Sequence, residues 1–186
     1  MEEIFKGLSD KINNDPSKFI PEGALSNIPV IVDGARYYIR NWESSKVMDV
    51  EGGSKGDYTK VILYDNGTGD NQKWVAVASK SSPGFFSFRA VHSSKYLDVK
   101  GCNVKNELIQ YHGNGSEAQL FTVQETGDKN AAGERAVYLV SVIDYKPNST
   151  QNYRISTWDK VHKNGSWLCL NTDTSNRSKW KFVSAG

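Results

Sequence analysis

One phrase occurs twice in this chain, and the repetition limits what the chain can fold into. Ser44-Ser45-Lys46-Val47-Met48-Asp49-Val50, then Val61-Ile62-Leu63-Tyr64, then Asn71-Gln72-Lys73-Trp74 returns as Ser93-Ser94-Lys95-Tyr96-Leu97-Asp98-Val99, Leu108-Ile109-Gln110-Tyr111 and Gln119-Leu120-Phe121. Tyr37 through Gly52 aligns without a gap on Phe86 through Gly101, an offset of 49 residues, and Val61–Trp74 aligns on Leu108–Phe121 at an offset of 47. Internal repetition of this kind means that each copy is one structural unit completed by its neighbours. Within a copy, apolar residues alternate with polar ones and are punctuated by Gly, Asn, Asp and Ser, the pattern of short strands and turns.

A third, more diverged copy follows. Trp167-Leu168-Cys169-Leu170 and Arg177-Ser178-Lys179-Trp180 align on Leu108–Tyr111 and Ala118–Phe121 at an offset of 59. Val137-Tyr138-Leu139-Val140 is its opening strand, and Ile155-Ser156 matches Leu97-Asp98. The added length lies in two polar loops, Thr126 to Arg135 and Tyr145 to Asn152. Three copies of about four strands each imply a closed, all-β structure of threefold pattern around a shared core.

Residues 1–30 do not share the pattern. Ile4, Phe5, Leu8 and Ile12 recur at helical spacing, and the Asn13-Asn14-Asp15-Pro16 cluster ends the run, so a short amphipathic helix is expected. Packing against the body, dimerisation and membrane contact are all open to such an arm. Pro21, Gly23 and Pro29 mark a linker into the repeats.

Composition excludes several classes. The formal charge is +2, with Lys and Arg scattered along the chain, so no basic face points to nucleic acid. No apolar run is long enough for a membrane-spanning helix. The start, Met1-Glu2-Glu3-Ile4, lacks the pattern of a secretory signal, which suggests cytoplasmic synthesis and, where release occurs, a non-classical route. Cys102 and Cys169 occupy non-equivalent places in their repeats and imply no disulfide framework. His92, His112 and His162 show no metal-ligand spacing, and neither a nucleophile motif nor a phosphate loop is present, so neither an enzyme nor a bound cofactor is expected.

Taken together, the Asp-Val strand, the strand ending in an aromatic residue and the closing Gln-x-Trp resemble the repeat of the ricin-B-type (R-type) lectins across roughly residues 36–183. The resemblance implies a β-trefoil over residues 31–186, preceded by the arm at 1–30. It also implies a carbohydrate-binding function directed at galactose- or N-acetylgalactosamine-type glycans on glycoproteins or glycolipids. Trp74, Phe121 and Trp180 would then be core anchors. Asp49 and Asp98 are poorly suited to strands and suggest a role in bonding either a ligand hydroxyl or a turn amide. By the resemblance, repeat one carries a site of Asp49, Tyr64, Asn71 and Gln72, with Ile62 where family members often have Gln. Repeat two carries Asp98, Tyr111 and Gln119, with Ala118 in place of the Asn and His112 as a further polar group. Repeat three, with Ser156, Leu170, Arg177 and Ser178, is expected to bind nothing. A homodimer through the arm would multiply the sites. The alternative is a trefoil that binds protein, such as a protease inhibitor or a cytoskeletal binder.

Overall fold

The computed structural model describes residues 31–103, 106–159 and 161–186. The helical arm expected at 1–30 lies outside the described residues. Among those described, the chain forms twelve strands and short 3₁₀ turns. Repeat one supplies β1 (Arg36–Asn41), β2 (Val47–Val50), β3 (Thr59–Tyr64) and β4 (Trp74–Ala78). Repeat two supplies β5 (Phe85–Ala90), β6 (Tyr96–Val99), β7 (Leu108–Tyr111) and β8 (Phe121–Lys129). Repeat three supplies β9 (Arg135–Ser141), β10 (Arg154–Thr157), β11 (Leu168–Asn171) and β12 (Lys179–Ser184).

The pairing closes on itself. β1 pairs with β4, β4 with β5, β5 with β8, β8 with β9, β9 with β12, and β12 with β1, all antiparallel. Six strands thus make a barrel with no free edge. The other six form three hairpins, β2–β3, β6–β7 and β10–β11, which cap it. Each hairpin is tied to the next by equivalent pairings, Lys60 with Ile109, Glu107 with Cys169 and Trp167 with Ile62. This is the β-trefoil, and its pseudo-threefold axis runs through the hairpin cap.

Side chains from equivalent positions meet inside. Ile39, Phe88 and Leu139 form one set, Met48, Leu97 and Ile155 a second, and Trp74, Phe121 and Trp180 a third, all fully buried. The two tryptophans also donate their ring N–H groups inward, Trp74 to the Met48 carbonyl at 3.2 Å and Trp180 to the Ile155 carbonyl at 2.9 Å. The repeated glycine of the phrase has a backbone reason. Gly52 and Gly101 follow the carboxylate strands with φ of 62° and 64°, a region that residues with a Cβ rarely adopt.

One alignment needs correcting. In the third hairpin Ile155 faces Leu170 and Ser156 faces Cys169, as Leu97 faces Gln110 and Asp98 faces Ile109. The residue equivalent to Tyr64 and Tyr111 is therefore Asn171, not Leu170, and the offset in β11 is 60. It returns to 59 at the 3₁₀ turn Asn176–Ser178, so one residue is lost from the loop between them. Leu170 is buried in the core cluster, and its apolarity made the neighbouring register look plausible.

Candidate functional site

Side chains directly opposite each other in an antiparallel hairpin share a face, and residues two apart along a strand do too. Asp49 faces Ile62, and Tyr64 lies two residues on, so all three sit on one face of the first hairpin. Asp98, Ile109 and Tyr111 repeat the arrangement in the second. In the third hairpin the same places hold Ser156, Cys169 and Asn171.

Both carboxyls are nearly enclosed, Asp49 at 5% exposure and Asp98 at 4%. An unpaired buried charge would be costly, and the 3₁₀ turn before the next barrel strand supplies the partner. Gln72 donates to Asp49 Oδ2 at 2.7 Å, and Gln119 donates to Asp98 Oδ2 at 2.9 Å. Each amide also reaches backbone in the same manner. Gln72 donates to the Asp65 carbonyl and accepts from Gly67 N–H; Gln119 donates to the His112 carbonyl and accepts from Asn114 N–H. An amide has two hydrogens to give, so both glutamines are fully committed as donors inside the protein. They brace the carboxylates. Burial raises both carboxyls above the usual Asp range, an effect the amide hydrogen bonds only partly offset.

In repeat one, Asn71 adds a second amide, donating to Asp49 Oδ2 at 3.0 Å and to the Val50 carbonyl at 3.2 Å. Its Oδ1 packs so close to Gly69 that a Cβ there would come within 2.4 Å. Gly69 has an ordinary φ of −63°, so its lack of a side chain serves Asn71 rather than the turn. The equivalent positions are Ser116 and Ser175, in the repeats where Asn71 is replaced by Ala118 and Arg177. Tyr64 stands at the rim, 46% exposed.

Repeat two is built across a repeat boundary. A pocket of about 270 Å³ holds Asp98, Ile109, Tyr111 and Ala118 together with Tyr58, which comes from repeat one. The Tyr58 and Tyr111 rings lie 4.8 Å apart at 56°, and the Tyr58 hydroxyl donates to that of Tyr111 at 3.2 Å. Tyr58 has φ 62°, while the matching residue in the loop of repeat three, marked by the Gly165 N–H to Leu63 carbonyl bond, is a glycine. A bulky residue in that region is strained and needs holding.

Several contacts hold it. Gln110, fully buried, donates to the carbonyls of Ser54 and Gly56, both at 2.8 Å, and the Tyr58 N–H donates to the Gln110 carbonyl. Next to it Asp57 accepts from Lys95 at 2.6 Å and from the His112 ring and backbone at 3.0 Å each. The hydrogen bonds from Lys95 and then His112 hold the Asp57 carboxyl down at about 2. His112 is therefore turned to Asp57 and clamps the loop. Asp65 takes the equivalent place in repeat one, where it pairs with Lys46 and accepts from Asn164 at 2.7 Å.

Reading the repeats by likeness pointed to Asp49, Tyr64, Asn71, Gln72, Asp98, Tyr111, His112 and Gln119, and missed Tyr58, Asp57 and Gln110. Gln110 did carry a signal, since it is a polar residue where the other two copies have Leu63 and Leu170. Repeat three has a different occupant. The Arg177 side chain pairs with Asp173, and the buried Arg154 donates to the Thr172 carbonyl at 2.6 Å.

Comparison with known proteins fits this geometry. A family model described as ricin-type beta-trefoil lectin domain-like matches residues 70–142, from the 3₁₀ turn of repeat one into repeat three. No curated protein matches. Among solved structures, a designed threefold-symmetric protein, ThreeFoil, superposes with a TM-score of 0.68 at 24% identity, covering 80% of this chain and 98% of the other. An exo-β-1,3-galactanase from Clostridium thermocellum superposes with a TM-score of 0.69 at 24% identity, over 83% of this chain but only 31% of that enzyme. The ricin B-like lectin of Macrolepiota procera, solved in complex with lactose, gives 0.62 at 17% identity, over 83% and 98% of the two chains. At these identities the superpositions speak to fold, while the family model adds the sequence pattern. By its repeats and the twelve strands of its described residues the chain is a β-trefoil, and its central stretch, residues 70–142, is similar to the ricin-type beta-trefoil lectin domain-like family.

Proposed function

We propose that this protein is a lectin that binds galactose- or N-acetylgalactosamine-type glycans through Asp49 with Tyr64 and Asn71 in repeat one, and through Asp98 with Tyr111 and Tyr58 in repeat two. One observation carries the reading. Two repeats hold a buried carboxylate in the same glutamine brace and place a tyrosine on the same hairpin face, exposed for Tyr64 and half-buried for Tyr111, while the third repeat has lost all of these groups. A turn-bracing role alone would leave the tyrosines unexplained.

The chemistry suits a sugar. A carboxylate accepts hydrogen bonds from two adjacent hydroxyls, and such charge-assisted bonds are the stronger kind. A tyrosine ring packs on the C–H patch of the pyranose with little loss of side-chain entropy. Asn71, with both amide hydrogens engaged, presents its carbonyl oxygen to a third hydroxyl. Such sites are individually weak, and two per chain allow avidity on a clustered glycan. The lactose-bound Macrolepiota procera lectin supports the choice of sugar class. The proposed role is that of a non-catalytic binder of glycoproteins or glycolipids.

The test is retention on galactose- or lactose-bearing resin with elution by free lactose, followed by a glycan array. Failure to bind the resin together with silence on the array would favour a protein-binding trefoil instead. A second measurement addresses repeat one alone. In an Asp98→Asn background, Gly69→Ala is expected to weaken lactose binding severalfold, because the new methyl displaces Asn71 from Asp49 and one or two hydrogen bonds of about 0.5–1.5 kcal/mol each are lost. The backbone angle suits alanine, so the urea midpoint is expected to stay near that of the parent; unchanged affinity would remove Asn71 from the site.

A further inference from the structure

The pseudo-threefold axis gives every cap position two counterparts, and at one ring of positions the third repeat breaks the pattern. The pairings of Lys60 with Ile109, Glu107 with Cys169 and Trp167 with Ile62 make Lys60, Glu107 and Trp167 equivalent. In the adjoining ring Glu51, Lys100 and Trp158 each follow the last residue of the first hairpin strand. Two repeats place charged residues at these solvent-facing positions, as surface chemistry dictates. Repeat three places tryptophan at both, and they remain 62% and 45% exposed for Trp158 and Trp167. Trp158 N–H donates to the Trp167 carbonyl at 2.9 Å, which fixes the two backbones side by side.

The indoles do not form a flat greasy patch. They wall a concave pocket of about 170 Å³ at the seam between repeats two and three, with Glu107, Lys100, Asn106 and Cys169 completing it. Glu107 accepts from Lys100 at 2.7 Å, and Lys60 lies 3.8 Å from its other oxygen. Lys60 also stacks on Trp167, its ammonium 3.6 Å from the ring centre. The position is distinct from the carboxylate sites of repeats one and two, and shares only Cys169 with the lost site of repeat three.

We propose that this seam is a separate saccharide-binding subsite, in which a single pyranose lies with its C–H face against Trp158 and Trp167, donates a hydroxyl hydrogen to Glu107 and accepts from Lys100. The pocket is smaller than the roughly 300 Å³ of a drug-sized site, which suits one ring better than an extended ligand. Aromatic surface beside a hydrogen-bonding ion pair matches a ring that is apolar on one face and hydroxylated at its edge. An apolar protein side chain or a lipid tail would instead strip water from Glu107 and Lys100 without replacing its hydrogen bonds. The proposal shares the ligand class of the lectin reading but needs neither Asp49 nor Asp98.

The experiment follows the indole N–H signals of Trp158 and Trp167 by ¹H–¹⁵N NMR in the wild type and in Asp49→Asn/Asp98→Asn. The probes are methyl β-D-galactopyranoside, methyl α-D-glucopyranoside and methyl α-D-mannopyranoside. At least one glycoside is expected to shift both signals saturably, with the same half-saturation in the two proteins. Removing one exposed ring by Trp158→Ala is expected to raise that half-saturation about threefold to tenfold, read from Trp167, and Glu107→Gln to raise it without altering the ring contacts. Silence of both signals with all three glycosides overturns the proposal, as does a shift that disappears in the double Asp variant. Signals that move only on adding phosphatidylcholine vesicles also overturn it, in favour of a membrane contact. A protein that fails on galactose resin yet shows these shifts sinks the galactose reading and leaves this subsite standing.

Discussion

Asp49→Asn/Asp98→Asn is expected to abolish retention on galactose resin without unfolding the protein. Hydrogen bonds to a charged group contribute about 1.5–3 kcal/mol each, so neutralising the carboxylate weakens each site by about tenfold to a hundredfold. Ser156→Ala, at the equivalent place in repeat three, should leave retention unchanged. Stability should move the other way. Because burial raises both carboxyls above 3.8, the folded chain keeps these protons to higher pH than the unfolded chain does. Ionisation therefore costs stability as pH climbs from 3.8 through the raised folded value. Asn keeps an oxygen for Gln72 and Gln119 and removes that cost, so the double variant should melt at or above the wild-type temperature at pH 7.

The same sign makes binding acid-sensitive, since protonation at the raised pKa removes the acceptor while the fold loses nothing from these two groups. Asp57 behaves oppositely: its contribution is complete above 3.8 and is lost only as pH falls through about 2. Lactose affinity measured between pH 7 and 4 should thus decline before the Asp57 clamp titrates. A marked drop in melting temperature in the double variant, or retention unaltered by it, would show that the carboxylates hold turns rather than ligand.

How much of this was legible in the sequence follows from which forces act locally. Strand pairing and core anchoring repeat with the chain, so the twelve strands, Trp74, Phe121 and Trp180 could be read from spacing alone. The brace of Gln72 on Asp49 was half legible: the residues were singled out, but that their donors are wholly spent within the protein depends on the Asp65 and His112 carbonyls, whose positions no pattern reports. The register of β11 slipped by one because Leu168, Cys169 and Leu170 are all buried, leaving no alternation to choose between Leu170 and Asn171. Tyr58 was hidden for a different reason. It belongs to repeat one by sequence and to repeat two by contact, and comparing copies one with another cannot reveal a wall borrowed from a neighbour. Trp167 was hidden by the slip in β11, which set it against the apolar Leu108 rather than the charged Glu107.

Trp74→Ala is expected to cost about 3–5 kcal/mol, the usual loss for truncating a fully buried tryptophan. That is a large share of the roughly 5–15 kcal/mol available to a folded chain. Trp74 joins β4 to its neighbours in the closed barrel, and its ring N–H is bonded to the Met48 carbonyl in the strand that carries Asp49. Trp74→Phe separates the two contributions, because Phe121 shows that a smaller ring without a donor can fill this position. It should cost less than Trp74→Ala, on the order of 1–3 kcal/mol for an orphaned carbonyl and reduced packing. Trp158→Ala is the internal control: an exposed indole should fall within about 0.5 kcal/mol of wild type. Urea unfolding of the three variants gives the comparison, and a Trp74→Ala loss no greater than that of Trp158→Ala would contradict the assignment. With that ordering, tryptophan divides by location rather than by motif: the buried Trp74 and Trp180 close the barrel, whereas the exposed Trp158 can be truncated at little cost to the fold.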